Sequence, residues 1–165
     1  AIFSDNMDSG IMQIARNNNI EAHYLDGGSF KSKLDDKAEE VWIDAIMKLQ
    51  PDLIALAGFM RVLKPAFLRA FKDTIVNLHP SLLPSFKGLR AIEQAFEYGV
   101  KISGCTVHWV TEEIDSGKII GQAPVRIMAG DTVETLTQKI HGAEHVLYPC
   151  VIRDISTGII PFPGP

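Results

Sequence analysis

Asn77 and His79 stand two residues apart in the apolar run TIVNLHPSLLP (74–84). On an extended strand that spacing points both side chains to one face. An amide donor and a titratable ring would then sit side by side on rigid backbone. Pro80 fixes its own φ and biases His79 toward extended geometry, so the pair would be better ordered than on a free loop. A second candidate lies in TEEIDSG (111–117), where Asp115 follows an apolar residue and precedes a glycine that permits close approach. Glu112 and Glu113 read more plainly as an acidic turn. A carboxylate reaching the imidazole would hold its tautomer and favour its charged form, so that one ring could both accept and give a proton. Amide, imidazole and carboxylate together suit acyl-group transfer. Asn77 would donate to a developing oxyanion, His79 would stabilise it and move protons, and Asp115 would hold His79 and order a water. The plainer alternative makes Asn77 a turn cap and His79 a ring that satisfies buried backbone. Ser81 lies close, but nothing near it marks His79 as its base. His79, His108, His141 and His145 show no zinc spacing, and HGAEH (141–145) lacks the HExxH pattern, so no metal is expected.

The elements that must position these groups follow from periodicity. AIFS and EAHYL (21–25) read as short strands, with a helix over SGIMQIARNNN between them, its apolar residues Ile11, Met12, Ile14 and Ala15. A long helix from Asp35 to Leu49 would put Ala38, Val41, Trp42, Ala45, Ile46 and Leu49 on one face, and Pro51 ends it. DLIALAG (52–58) is nearly all apolar, as a strand buried on both faces of a parallel sheet would be. TIVNLH reads as a second buried strand, and LRAIEQAFEYG (89–99) as a helix closed by Gly99 in the left-handed region. GCTVHWV (104–110) and KIIGQAPVRI (118–127) are expected to pair antiparallel. Asp131 with Glu134 suggests a capping-box start for a helix reaching Ile155, kinked near Pro149. Strands alternating with helices predict an α/β open sheet, mostly parallel with an antiparallel edge. In such sheets sites collect at the carboxyl ends of the strands.

The chain has 165 residues, 46% apolar and 22% charged, with net charge −4. That suits one soluble domain over 1–165, and the charge argues against a general phosphate-backbone binder. Cys105 and Cys150 read as buried free thiols, their scarcity fitting a reducing compartment. No apolar run approaches the roughly 18 residues of a membrane span.

AGFMRVL, NLHPSLLPSFKGL, GCTVHWVTEEIDSGKII and AEHVLYPCVI resemble phosphoribosylglycinamide formyltransferase, the folate-dependent enzyme of purine synthesis. The resemblance implies a Rossmann-like open sheet and a cytoplasmic enzyme. It implies glycinamide ribonucleotide and 10-formyltetrahydrofolate as substrate and co-substrate, without metal, nucleic acid or membrane partners. A homodimer is compatible with it. Asn77, His79 and Asp115 match the catalytic trio. Met60, Arg61, Val62 and Leu63 match the segment lining the pterin site, largely through backbone groups. Thr111, Glu112, Glu113 and Ile114 match the loop closing that site. Glu144 matches a carboxylate on the nucleotide ribose, Pro80 falls on the substrate side, and His108 matches a supporting histidine near the centre. Without the resemblance, Met60 reads as core and Arg61 as a solvated helix charge. Two departures stand out. Arg90 occupies a position where the family usually carries His or Asn. The family's opening strand, Gly-Ser-Asn phosphate loop and helix lie before the point where AIFSDN begins, which makes the chain N-terminally truncated against that pattern. The alternatives are a form that binds folate without turnover, and 10-formyltetrahydrofolate hydrolase, which typically has a second His where Pro80 stands. Methionyl-tRNA formyltransferase shares the trio but needs an RNA-binding domain and a basic surface.

Overall fold

The computed structural model describes residues 1–163, which divide into two compact units. The first comprises residues 1–51 with 60–70, and the second 52–59 with the chain from Phe71 onward.

In the first unit, β1 (Ile2–Ser4) and β2 (Ala22–Tyr24) pair in parallel, connected through α1 (Gly10–Asn17). Helix α2 (Asp36–Met47) starts on Asp35, whose carboxylate accepts the Ala38 N–H at 2.9 Å, satisfying one of the orphan donors of the first turn. Ala38, Trp42 and Ile46 recur at helical spacing and are buried, while Val41 and Leu49 of the expected apolar face are exposed. In α1 only Met12 and Ala15 are buried; Ile11 and Ile14 face outward, because a two-stranded sheet covers little of the helix. Helix α3 (Pro65–Ala70) buries Phe67.

The second unit is built on a four-stranded sheet in the order β3-β4-β5-β6. β3 (Ile54–Leu56) runs parallel to β4 (Ile75–His79); β5 (Ile102–Trp109) is antiparallel to both β4 and β6 (Ile119–Arg126). The predicted antiparallel hairpin is present. The strand expected to be buried on both faces is not: β3 spans only three residues and Ala55 is exposed. Among the described residues its one strand neighbour is β4. The α4 helix (Ala91–Tyr98) ends on Gly99 at φ 83° as expected, and α5 (Val133–Ser156) runs unbroken through Pro149. The start of α5 differs from expectation: Thr132, not Asp131, is the N-cap, paired reciprocally with Thr135. Lys139 at 2.6 Å draws the Asp131 carboxylate to itself, and Asp131 also accepts the Met128 N–H.

Side-chain alternation sorts the sheet's two faces. Val76, Val107 and Trp109 turn toward α5 and pack with Tyr148, Val151 and Ile155, and each such aliphatic burial contributes about 1.5–3 kcal/mol. The Tyr148 hydroxyl donates to the carbonyls of Leu56 (2.8 Å) and Val76 (3.3 Å), joining helix to sheet. The opposite face carries Asn77, His79, Thr106 and His108.

Candidate active site

That polar face is set by strand register. Asn77 lies across from His108, and His79 across from Thr106, on β4 and β5. Directly opposed residues of an antiparallel pair bring their side chains into contact, and the Asn77 Nδ2 is accordingly 3.3 Å from His108 Nε2. Thr106, fully buried, donates to the Ser81 carbonyl (2.7 Å) and accepts from the Leu83 N–H (3.0 Å) and Gln122 Nε2 (3.0 Å). It thus braces the segment leaving His79. Pro80 sits in the turn closed by the Ser81 N–H on the His79 carbonyl at 2.9 Å. The Ser81 hydroxyl is fully buried and donates to the Ser85 carbonyl at 2.6 Å, so it is held away from any nucleophilic role on His79.

Asp115 arrives from the connection between β5 and β6. Its Oδ2 is 3.3 Å from His79 Nδ1 and its Oδ1 is 3.5 Å from His108 Nε2. The Gly88 N–H donates to Oδ2 at 2.8 Å. The side chains of His79, His108 and Asp115 are 6%, 2% and 9% exposed, so their mutual electrostatics are weakly screened. Burial by itself would push the Asp115 carboxyl up. The hydrogen bond with His108, the Gly88 N–H and the charges on the two rings outweigh it, and the net displacement is downward. Asp115 is therefore an anion at neutral pH.

Both nitrogens of His79 face oxygen acceptors, Nδ1 the Asp115 carboxylate and Nε2 the Phe86 carbonyl at 2.9 Å. Only the doubly protonated ring meets both with donors. His108 Nδ1 donates to the Trp109 carbonyl at 2.8 Å, and its Nε2 lies between Asp115 Oδ1 (3.5 Å) and Asn77 Nδ2 (3.3 Å): with a proton it donates to the carboxylate, without one it accepts from Asn77. Apart from His108, the Asn77 NH2 has no partner among the described residues.

Asp115 sits at φ 50°, a sparsely populated region for a non-glycine residue. What holds it there includes the close approach at Gly117, where a Cβ would overlap the Trp109 carbonyl. A Gly117→Ala variant should therefore displace the Asp115 loop. The expected readout is a fall in thermal midpoint of roughly 2–4 °C per kcal/mol lost for a chain of this length, with weakened His79 and His108 coupling by NMR; unchanged spectra would contradict the packing described.

The depressed Asp115 pKa has a sign in stability. Its contribution is fully present above the unfolded-state value near 3.8 and is lost as pH falls through the lower folded value. Urea unfolding should find Asp115→Asn less stable than the parent at neutral pH, with the gap closing as pH drops below 3.8. A gap independent of pH would show that the carboxylate's charge is not what stabilises.

The other residues predicted from sequence are placed variously. Thr111, Glu112, Glu113 and Ile114 are all exposed on the connection that carries Asp115. The Thr111 hydroxyl donates to the Glu113 carbonyl at 3.1 Å, and Glu113 lies 3.8 Å from Lys87. Glu144 on α5 is largely buried, and that burial pushes its carboxyl up against the pull of His141 and His145. Cys105 and Cys150 are free thiols; burial, with Glu144 nearby, pushes Cys105 up to about 11. Arg90 caps α4 at φ 58° and is offset by Glu93 and Glu97 at 3.8 and 3.7 Å. In the first unit, Met60 is 74% exposed, so it is not core, and Val62 is also exposed. Arg61 is neither helical nor solvated: its side chain is 12% exposed and bound to Asp5.

Three groups that the sequence did not mark complete the site. The Phe86 carbonyl and the Gly88 N–H are main-chain atoms and leave no side-chain signature, although SFKGL is a glycine-bearing loop of the kind that offers them. Lys87, whose Nζ meets Ser116 Oγ at 2.5 Å, ties the two loops together.

Comparison with known proteins gives a consistent result. The family described as formyl transferase matches residues 1–152. Phosphoribosylglycinamide formyltransferase of Escherichia coli (strain K12) is 39% identical over 158 residues, covering 96% of this chain and 74% of that protein. The trifunctional purine biosynthetic protein adenosine-3 of Bos taurus is 41% identical over 137 residues; the chain spans only 13% of its length, with 83% of this chain aligned. Among solved structures, glycinamide ribonucleotide transformylase 1 from Symbiobacterium toebii superposes with a TM-score of 0.90 at 40% identity, covering 98% of this chain and 76% of that one.

Proposed function

The chain belongs to the formyl transferase family, and from that premise we propose that it transfers the formyl group of 10-formyltetrahydrofolate to the glycyl amine of glycinamide ribonucleotide. The carrying observation is the Asp115 carboxylate held between His79 and His108, with a free Asn77 N–H beside them. The name of the Escherichia coli relative supports phosphoribosylglycinamide as the formyl acceptor, and that of the Bos taurus relative a place in purine biosynthesis.

In this reading the glycyl nitrogen attacks the formyl carbon. A new C–N bond forms, the bond from that carbon to N10 of the folate breaks, and one proton passes from the amine to N10. The unused Asn77 N–H and the His79 Nε2–H meet the charge that develops on the formyl oxygen. Nε2–H rests on the Phe86 carbonyl, an acceptor that a full negative charge outcompetes. Donors aimed at such an oxygen are each worth about 10²–10³ in rate. Asp115 keeps Nδ1 protonated and offers its carboxylate to a water that relays the proton. His108 supports Asn77 and Asp115 from the neighbouring strand. Met60, Arg61, Val62 and Leu63 are assigned to the pterin through main-chain groups, and Thr111, Glu112, Glu113 and Ile114 are likewise assigned to the folate. Glu144 meets the ribose hydroxyls, and Pro80 shapes the nucleotide side. Neither step requires a metal.

The test is direct. The purified chain, given both substrates, should yield formylated nucleotide by mass spectrometry, dependent on each. Formate released without formylated nucleotide would replace this reading with hydrolysis, and folate binding without either product would leave a binding module.

A further inference from the structure

Arg61 sits in the first unit, where its guanidinium serves four acceptors. Nε donates to Asp5 Oδ2 at 2.6 Å, and Nη1 donates to the carbonyls of Phe30, Lys33 (3.1 Å) and Gly27 (3.4 Å). The main chain adds to the same junction: the Val62 N–H donates to the Ser32 carbonyl at 2.8 Å, and Lys33 and Val62 form an isolated parallel bridge. Gly27 makes room for this, since a Cβ there would overlap the guanidinium. A planar fork with five donors can satisfy a carboxylate and several carbonyls at once; a lysine ammonium, with three donors on one atom, cannot span them.

We infer that Arg61 is a positioning residue for co-substrate binding: its side chain locks residues 60–63 to the 27–33 loop, fixing the main chain that the folate is to meet. The inference rests on the proposed folate role of residues 60–63. It assigns the side chain no contact with the ligand. Asp5 anchors the charge, the three carbonyls set the loop, and the Val62–Ser32 hydrogen bond sets the depth of the segment. Small displacements of a binding surface cost affinity out of proportion to their size, so loosening the clamp should be felt by folate and not by the nucleotide.

Gly27→Ala and Arg61→Lys test this together. Gly27→Ala keeps the arginine and displaces its guanidinium, whereas Arg61→Lys keeps a charge and loses the fork. Each is expected to raise the Kd of 10-formylfolate about tenfold by calorimetry, with the KM for glycinamide ribonucleotide within about twofold of the parent. Asp5→Asn should give a smaller rise in the same direction. If Gly27→Ala binds 10-formylfolate like the parent while Arg61→Lys does not, Arg61 touches the ligand and the inference is overturned. Equal losses for both substrates would mark a merely structural role and overturn it too. If Arg61→Lys fails to fold, Gly27→Ala carries the comparison alone. Amide exchange separates this from the reading beneath it. Protection of residues 60–63 by 10-formylfolate in the parent protein supports the folate wall whatever the variants do. Its absence removes the wall, and the positioning role with it.

Discussion

Replacing His79 by alanine should lower kcat/KM for formyl transfer by about 10³-fold, within the span of a lost acid–base group. The two ring nitrogens face two acceptors, the Asp115 carboxylate and the Phe86 carbonyl. In the proposed mechanism alanine removes a donor to the formyl oxygen, and it leaves Asp115 with His108 and the Gly88 N–H as its partners. Because those two partners remain, the fold should persist, which far-UV circular dichroism would verify. The expected loss falls on kcat more than on KM, since the interaction strengthens only as charge develops. Turnover near the parent level in a folded His79→Ala protein would remove His79 from the mechanism.

The second large effect is expected at Asp115→Asn. The substitution keeps the shape and exchanges an anion for an amide. Its carbonyl oxygen can take the place of Oδ2, which both His79 Nδ1 and the Gly88 N–H approach, so the NH2 falls where Oδ1 faces His108 Nε2. What is lost is the negative charge between the two rings, a change that costs as much as about 10⁴ in analogous carboxylate–histidine arrangements. Steady-state kinetics beside far-UV circular dichroism would separate this from simple misfolding: the variant should keep the parent's spectrum and lose kcat. Turnover near the parent level in the folded variant would remove the Asp115 charge from the mechanism.

Much of this arrangement was legible in the sequence, for identifiable reasons. IVNLH alternates with period two, so the common face of Asn77 and His79 follows from strand geometry alone, and the β4–β5 register then carries His108 and Thr106 to the same face. TEEIDSG announced a tight carboxylate-bearing loop because Gly117 is required by backbone proximity. What could not be read depended on competition between equivalent groups or on main-chain atoms. Asp131 and Thr132 are both good caps, and only the approach of Lys139, eight residues on, takes Asp131 out of the role. Apolar composition at DLIALAG does not say how many neighbours a strand has; among the described residues β3 has one. Arg61 looked like a surface charge because its partners, Asp5 and the carbonyls of residues 27–33, lie far away in sequence.

The pairing of β5 with β6 slips between Val107 and His108, where His108 pairs with Ile119 after Val107 has paired with Gly121. Residue 120 is thereby skipped, and everything from Trp109 to Lys118 inherits the offset. For protein engineering this fixes where the polypeptide tolerates lengthening. One added or deleted amino acid in that hairpin would rotate the acidic group away from both rings, however conservative the change looked on paper. The edge strand β6, which supplies no reacting group, is in that sense the ruler by which the reaction centre is measured.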